Sequence, residues 1–322
     1  MSETNADERD KVQRRKLGKT DMDFSEVALG LWGLSGASGP VSDEIIKETL
    51  EGALESGVNV FDMAPLWGAG SAEEIVGETF KEKRNEVRYV TRGGVVWEND
   101  AVSKRFDVET LEADCEASLE RLKTDWIDLW LLHDPPEEVA LDEKVYELAK
   151  RLKAEGMIRA FGVSTANIDV ARAAIGTGID ALCLPVNMLH SDNLKDLESD
   201  IEESGCGVLA SSPLCHGLLT GRWTEYRRFA DDDHRAARWT SGALKTRVRT
   251  VNKLRYMVHD EVTNLASAAL RYVLGQKGVT SAVLGARRPA QVQDLARMAG
   301  KPPYLPEGDL ERLGQVLADA GA

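Results

Sequence analysis

Eight short apolar runs, at residues 26–30, 58–62, 87–91, 127–132, 158–163, 181–185, 207–210 and 281–284, recur along the chain between longer segments of mixed character. A strand with no polar face has to be covered on both sides, which is the mark of a buried parallel sheet rather than a half-exposed antiparallel one. The intervening segments 43–56, 72–82, 108–122 and 141–155 carry apolar residues three and four apart, the spacing of an amphipathic helix with one buried stripe. Strand followed by helix, eight times over, predicts an α/β protein of the (β/α)8 TIM-barrel class. Ser42 ahead of Asp43 and Glu44 marks a helix start, and Gly57, Gly156, Gly205 and Gly278 fall where helices stop. A length of 322 residues suits one such domain, assigned to residues 16–322 with the polar residues 1–15 as a disordered lead-in. Between residues 222 and 250 the alternation lapses into Trp223, Tyr226, Phe229, a DDDH run and Trp239. We read this stretch as a long loop near the active face, either functional or packed on the barrel wall.

Composition narrows the class further. A hydrophobic fraction of 43% supplies a core, while 29% charged residues and the lack of a membrane-length apolar run predict a soluble chain. The start lacks an apolar signal-peptide core, so a cytoplasmic location is expected. A net charge of −14 opposes binding to nucleic acid or anionic membranes, though a local basic pocket can still hold a phosphate. Cys115, Cys183, Cys206 and Cys215 have neither metal-ligand nor disulfide-scaffold spacing, so we read them as free thiols and expect no metal.

In such barrels chemistry sits at the carboxyl ends of the strands. Asp62 ends the second expected strand, Arg92 follows the third, His133 the fourth and Ser164 the fifth, so four polar side chains converge on one rim. Each taken singly has a bland explanation as a cap, an ion pair or a core residue, but their convergence points to a site.

The segments RRKLGKTDM, VNVFDMAPLWGAGSAEEIVGETFK, DLWLLHDPP, IRAFGVST, SSPLCHGLLTGR and LGARRPAQV, in that order, resemble motifs of the aldo-keto reductases over nearly the whole chain. The resemblance implies an NADP(H)-dependent oxidoreductase acting on a small carbonyl or hydroxyl compound. In that family an Asp and a Lys lower the pKa of a Tyr, which protonates the carbonyl oxygen as the nicotinamide delivers hydride, while a His orients the substrate. Asp62 and His133 match two of these positions, whereas Trp67 and Arg92 stand where the Tyr and Lys are expected. An indole N–H donates a hydrogen bond but is no practical acid near neutral pH. Arg92, always charged, is suited to a bidentate pair with Asp62 or to an acidic group of the substrate.

At the cofactor end the resemblance places Ser164 and Thr165 where the family carries Ser-Asn, Cys183 where it carries a Gln, and Ser211 where it carries a ring-stacking aromatic. Gly285, Arg287, Arg288, Gln291 and Asp294 retain the character of an adenosine 2′-phosphate site, while Leu295 replaces a usual Asn. Three outcomes fit these residues. The first is a variant reductase in which His133 donates the proton or orients the substrate. The others are a redox-neutral dehydratase, epimerase or isomerase on the same barrel, and a non-catalytic NADP(H)-binding protein. The sequence names no protein partner.

Overall fold

The computed structural model describes residues 12–34, 39–98, 101–230 and 233–319. Two short antiparallel strands, β1 (Arg14–Lys16) and β2 (Asp23–Ser25), precede the barrel, whose staves are β3 (Val27–Gly30), β4 (Val60–Asp62), β5 (Arg88–Gly93), β8 (Ile127–His133), β9 (Ile158–Ser164), β10 (Ala181–Pro185), β11 (Gly207–Ser211) and β12 (Val279–Gly285). A hairpin of β6 (Val95–Glu98) and β7 (Ala101–Lys104) rises from the end of β5. The staves pair in parallel, and β12 closes on β3 through Gly285 opposite Gly30. All eight expected strands are present, with boundaries shifted by at most two residues.

The outer layer begins with α1 (Asp43–Glu55), α2 (Ser71–Phe80), α3 (Val108–Leu122), α4 (Glu137–Ala140), α5 (Glu143–Ala154), α6 (Ile168–Gly176), α7 (Asp192–Asp196) and α8 (Glu198–Ser204). It continues with α9 (His234–Arg238), α10 (Ser241–Lys253), α11 (Leu265–Leu274), α12 (Pro289–Ala299) and α13 (Glu307–Ala318). Ser42 caps α1 by accepting from Ile45 N, and Asp107, Asp142 and Asn167 cap α3, α5 and α6 in the same way. No helix among the described residues is long and apolar enough to cross a membrane.

Two expectations change. Residues 1–11 of the expected lead-in lie outside the described residues, but residues 12–15 belong to the fold. Val12 is buried, Arg14 and Arg15 pair with Ser25 and Phe24, and the Arg15 guanidinium donates to Leu274 O and Val279 O. Their polarity hides this role, because the carbonyls that Arg15 reaches lie more than 250 positions away. The second change concerns residues 222–250, which are not one loop. α10 begins at Ser241 behind a Thr240 cap and buries Leu244, Val248 and Val251 on one stripe, a period masked by its basic residues. Trp223 and Phe229 meet edge to face at 5.0 Å, and both pack with Trp239 against the core, whereas Tyr226 is exposed. Asp231 and Asp232 of the DDDH run lie outside the described residues.

Inside the staves the packing is tight. Ala28, Val60, Val90, Leu129, Leu131, Ala160, Ala181, Leu209 and Val283 fill the interior, and Leu17 and Phe24 of the β1–β2 hairpin join the same cluster. A Cβ on Gly162 would lie 2.0 Å from the carbonyl oxygen of Ala181 on the neighbouring stave. Neither backbone can yield without breaking the β9–β10 pairing. Gly162→Ala is therefore expected to destabilise the protein by at least about 1–3 kcal/mol, the cost of overpacking a core. Urea denaturation checks this, and an unchanged midpoint would show that the staves are less rigid than drawn.

Candidate active site

Side chains of a strand alternate between faces. The inward positions of the staves therefore continue, two residues at a time, to the carboxyl-terminal mouth. Val60 leads to Asp62, Val90 to Arg92, Leu131 to His133, Ala181 to Cys183, Leu209 to Ser211 and Val283 to Gly285. Ser164 ends β9 opposite both His133 and Cys183. The register thus brings together the Asp, Arg and His predicted from sequence.

Asp62 and Arg92 are both buried, and Arg92 Nη1 lies 2.8 Å from Asp62 Oδ1. The hydrogen bond from Nη1 goes to Met63 O, and Asp62 Oδ1 has no directed hydrogen-bond partner among the described residues. Nη2 donates to Cys183 Sγ at 3.5 Å. The expected bidentate pair is thus replaced by a contact held by charge, with the fork divided between Asp62 and Cys183. Burial raises the pKa of Asp62 against the opposing pull of Arg92. Burial also works against the charge of Arg92, but Asp62 and Cys183 more than offset it, so the guanidinium stays protonated. With 4% exposure and these contacts, Arg92 is a fixed positive charge under the mouth and not a free ligand for an acidic substrate group. Cys183, expected at the cofactor, lies inside the barrel, and burial raises its thiol pKa.

Trp67 sits in the turn after β4, with its N–H bonded to Ala64 O. Its ring covers the Arg92 guanidinium at 5.1 Å and meets Trp32 edge to face at 5.8 Å. The two indoles form an aromatic wall beside the buried charge.

His133 is largely buried, and its Nδ1 has no hydrogen-bond partner among the described residues. Burial, then Arg92, then Lys104 push its pKa down to about 3. The imidazole is consequently neutral at physiological pH, a state in which one ring nitrogen donates a hydrogen bond and the other accepts. Lys104 reaches from β7 to Asp134, bonding its carboxylate at 2.5 Å and its carbonyl at 2.8 Å. Sequence reasoning missed Lys104 because it lies on a hairpin inserted between staves, where the strand-end rule does not apply.

The cofactor candidates separate into three groups. Ser164 and Ser211 are half-buried at the mouth, and Gly285 is exposed there. Thr165 is buried and structural, donating its N–H to Cys183 O and accepting from Asn167 N. Arg288, Gln291 and Asp294 are exposed on the first turns of α12, where Gln291 Oε1 accepts from Arg287 N and Asp294 faces Arg297 at 3.6 Å. α12 starts without a side-chain cap at Arg288, but Pro289 carries no N–H and the Gln291 N–H already donates to Arg288 O, so the backbone of this turn offers an anion little beyond the Ala290 N–H. The turn after β11 has positive φ at Ser212, Cys215 and His216, a conformation uncommon for residues other than glycine.

A closed parallel barrel with a charged pair and a histidine at the carboxyl ends of its strands is the architecture of a TIM-barrel enzyme. The profile of the Aldo/keto reductase family matches residues 26–316. The chain is 31% identical over 298 residues to the aldo-keto reductase YhdN of Bacillus subtilis (strain 168), covering 90% of this chain and 89% of that protein. It is 29% identical over 304 residues to the NADH-specific methylglyoxal reductase of Escherichia coli (strain K12), covering 88% and 92%. The solved glycerol dehydrogenase of Gluconobacter oxydans superposes with a TM-score of 0.85 at 28% identity over 95% of each chain. The protein belongs to the aldo/keto reductase family, an oxidoreductase family that binds nicotinamide cofactors.

The neutral histidine has a measurable consequence. Because the folded pKa lies below the unfolded value of 6.5, the unfolded chain binds the proton first, and stability falls as pH drops from about 6.5 toward 3. The His133 ring is expected to show no titration by NMR between pH 5 and 8, and His133→Gln to weaken this acid sensitivity. A midpoint near 6.5 would mean that the ring is solvated.

Proposed function

We propose that the protein transfers hydride between NADP(H) and a carbonyl or hydroxyl group of a small molecule, with a fixed positive charge and a neutral histidine in place of a phenolic acid. The observation that carries this reading is the arrangement at the mouth, where His133 stands beside the buried Asp62–Arg92 pair and the Trp67 wall. The exposed Arg288 at the start of α12 fits the 2′-phosphate of NADP(H), and the positive-φ turn after β11 supports a cradle for the rest of the cofactor. Ser164 and Ser211 would line the nicotinamide side.

A nicotinamide cofactor, when bound, would supply the hydride. As negative charge grows on the substrate oxygen, the neutral His133 ring donates an N–H to it, and the Arg92 charge stabilises it from below in a site of low dielectric. Trp67 shapes the pocket and shields the guanidinium, and the proton that completes the alcohol comes from water at the half-open mouth. Asp62 holds Arg92 in place and limits the net charge. The neutral imidazole and the committed guanidinium also favour a second reading, a redox-neutral dehydratase, epimerase or isomerase. A third, NADP(H) binding without turnover, stands on the same helix start.

Titration with NADPH and NADH by fluorescence and calorimetry separates these readings. Saturable binding, tighter for NADPH, is expected, and failure of both cofactors to bind removes the proposal. His133→Ala is expected to lower kcat about 10²–10³-fold, the effect of removing one oxyanion donor, with the NADPH Kd nearly unchanged. Equal loss of binding and turnover would deny it that role. Trp67→Tyr places a phenol beside Arg92, where the cation favours the phenolate, and is expected to raise kcat for aldehyde reduction. No gain, with NADPH still bound, would shift weight to the redox-neutral reading.

A further inference from the structure

The two adjacent arginines at the start of α12 differ sharply in their surroundings. Arg288 is exposed at the N-cap position, its carbonyl accepts from Gln291 N, and its side chain forms no hydrogen bond or ion pair with a described residue. Arg287 is tied on three sides. Its backbone N–H donates to Gln291 Oε1 at 2.8 Å, and its Nη2 donates to Gly39 O at 3.0 Å and Pro40 O at 3.2 Å. Its Nε is sealed from solvent without a partner among the described residues. Its stem passes close to Gly33, where a Cβ would lie 3.6 Å from Arg287 Cγ. Farther along the same connection, α1 approaches α12 closely, since a Cβ on Gly52 would lie 3.4 Å from Pro289 Cβ.

A guanidinium with one outer nitrogen on two carbonyls and its inner nitrogen enclosed is poorly placed to grip a phosphate. Its Nη2 can reach one only by releasing Gly39 O and Pro40 O, and Nη1 alone is without such a tie. An exposed guanidinium such as that of Arg288 needs no such rearrangement.

We propose that Arg287 is a positioning residue, a clasp between the start of α12 and the Gly39–Pro40 backbone ahead of α1 that closes one side of the adenosine site, while Arg288 reads the 2′-phosphate. For its ligand this rests on the NADP(H) reading above. Loss of the clasp loosens a wall that both nicotinamide cofactors use, whereas loss of Arg288 removes a contact that only the phosphorylated one makes.

The test uses the full chain with Arg287→Met, the milder Arg287→Gln, and Arg288→Met. Dissociation constants for NADPH and NADH are measured by fluorescence titration, and amide hydrogen exchange over residues 39–46 is followed without cofactor. Arg288→Met is expected to weaken NADPH about tenfold or more, the loss of a charge-assisted contact, and to leave NADH unchanged. Both Arg287 variants are expected to weaken NADPH and NADH by the same factor and to speed exchange over 39–46. Selective loss of NADPH in the Arg287 variants, with exchange unchanged, would overturn the assignment. If the unaltered protein binds neither cofactor, the NADP(H) reading fails, and exchange alone still decides the clasp: faster exchange in either Arg287 variant supports it, and unchanged exchange overturns it.

Discussion

The structure depends on the two-residue alternation of eight parallel strands closed into a barrel. Closure forces every second side chain into a narrow interior, so the inner positions are held by Ala28, Ala160, Ala181 and Gly162 as well as by larger Val and Leu residues. The last inward position on each stave then has no layer above it. Asp62, Arg92, His133 and Ser211 occupy such positions, so the packed core and the polar site are successive levels of one stack.

Electrostatics at that boundary sets the character of the mouth. A buried guanidinium is tolerated because Asp62, Met63 O and Cys183 surround it, and its field, added to burial, keeps His133 uncharged. Breaking such a buried pair by removing one partner typically costs about 3–5 kcal/mol, so Asp62 and Arg92 serve stability as well as any chemistry above them. The Trp32–Trp67 wall extends the low-dielectric environment to the rim.

Membership of the aldo/keto reductase family gives the barrel its class of chemistry, but function resides in particular side chains. Here the side chains supply a fixed cation and a neutral hydrogen-bond donor. That combination suits stabilisation of a developing oxyanion more than delivery of a proton, which is why water is assigned the proton and why redox-neutral chemistry stays next in line.

Much of this was legible in the chain itself. The eight strands, the bounds of α3 and the convergence of Asp62, Arg92 and His133 all follow from local periodicity and the strand-end rule, which need only neighbouring residues. Burial of Leu244, Val248 and Val251 along α10 was present as a period but obscured by basic residues. The structural role of residues 12–15, the division of the Arg92 fork, the neutrality of His133 and the clasp of Arg287 on Gly39 and Pro40 were not legible. Sequence determined the eight staves and helices α1, α2, α3 and α5, because these depend on spacing along the chain. Tertiary structure alone decided which charge is buried, paired or free, because those states depend on groups brought together from tens to hundreds of positions apart.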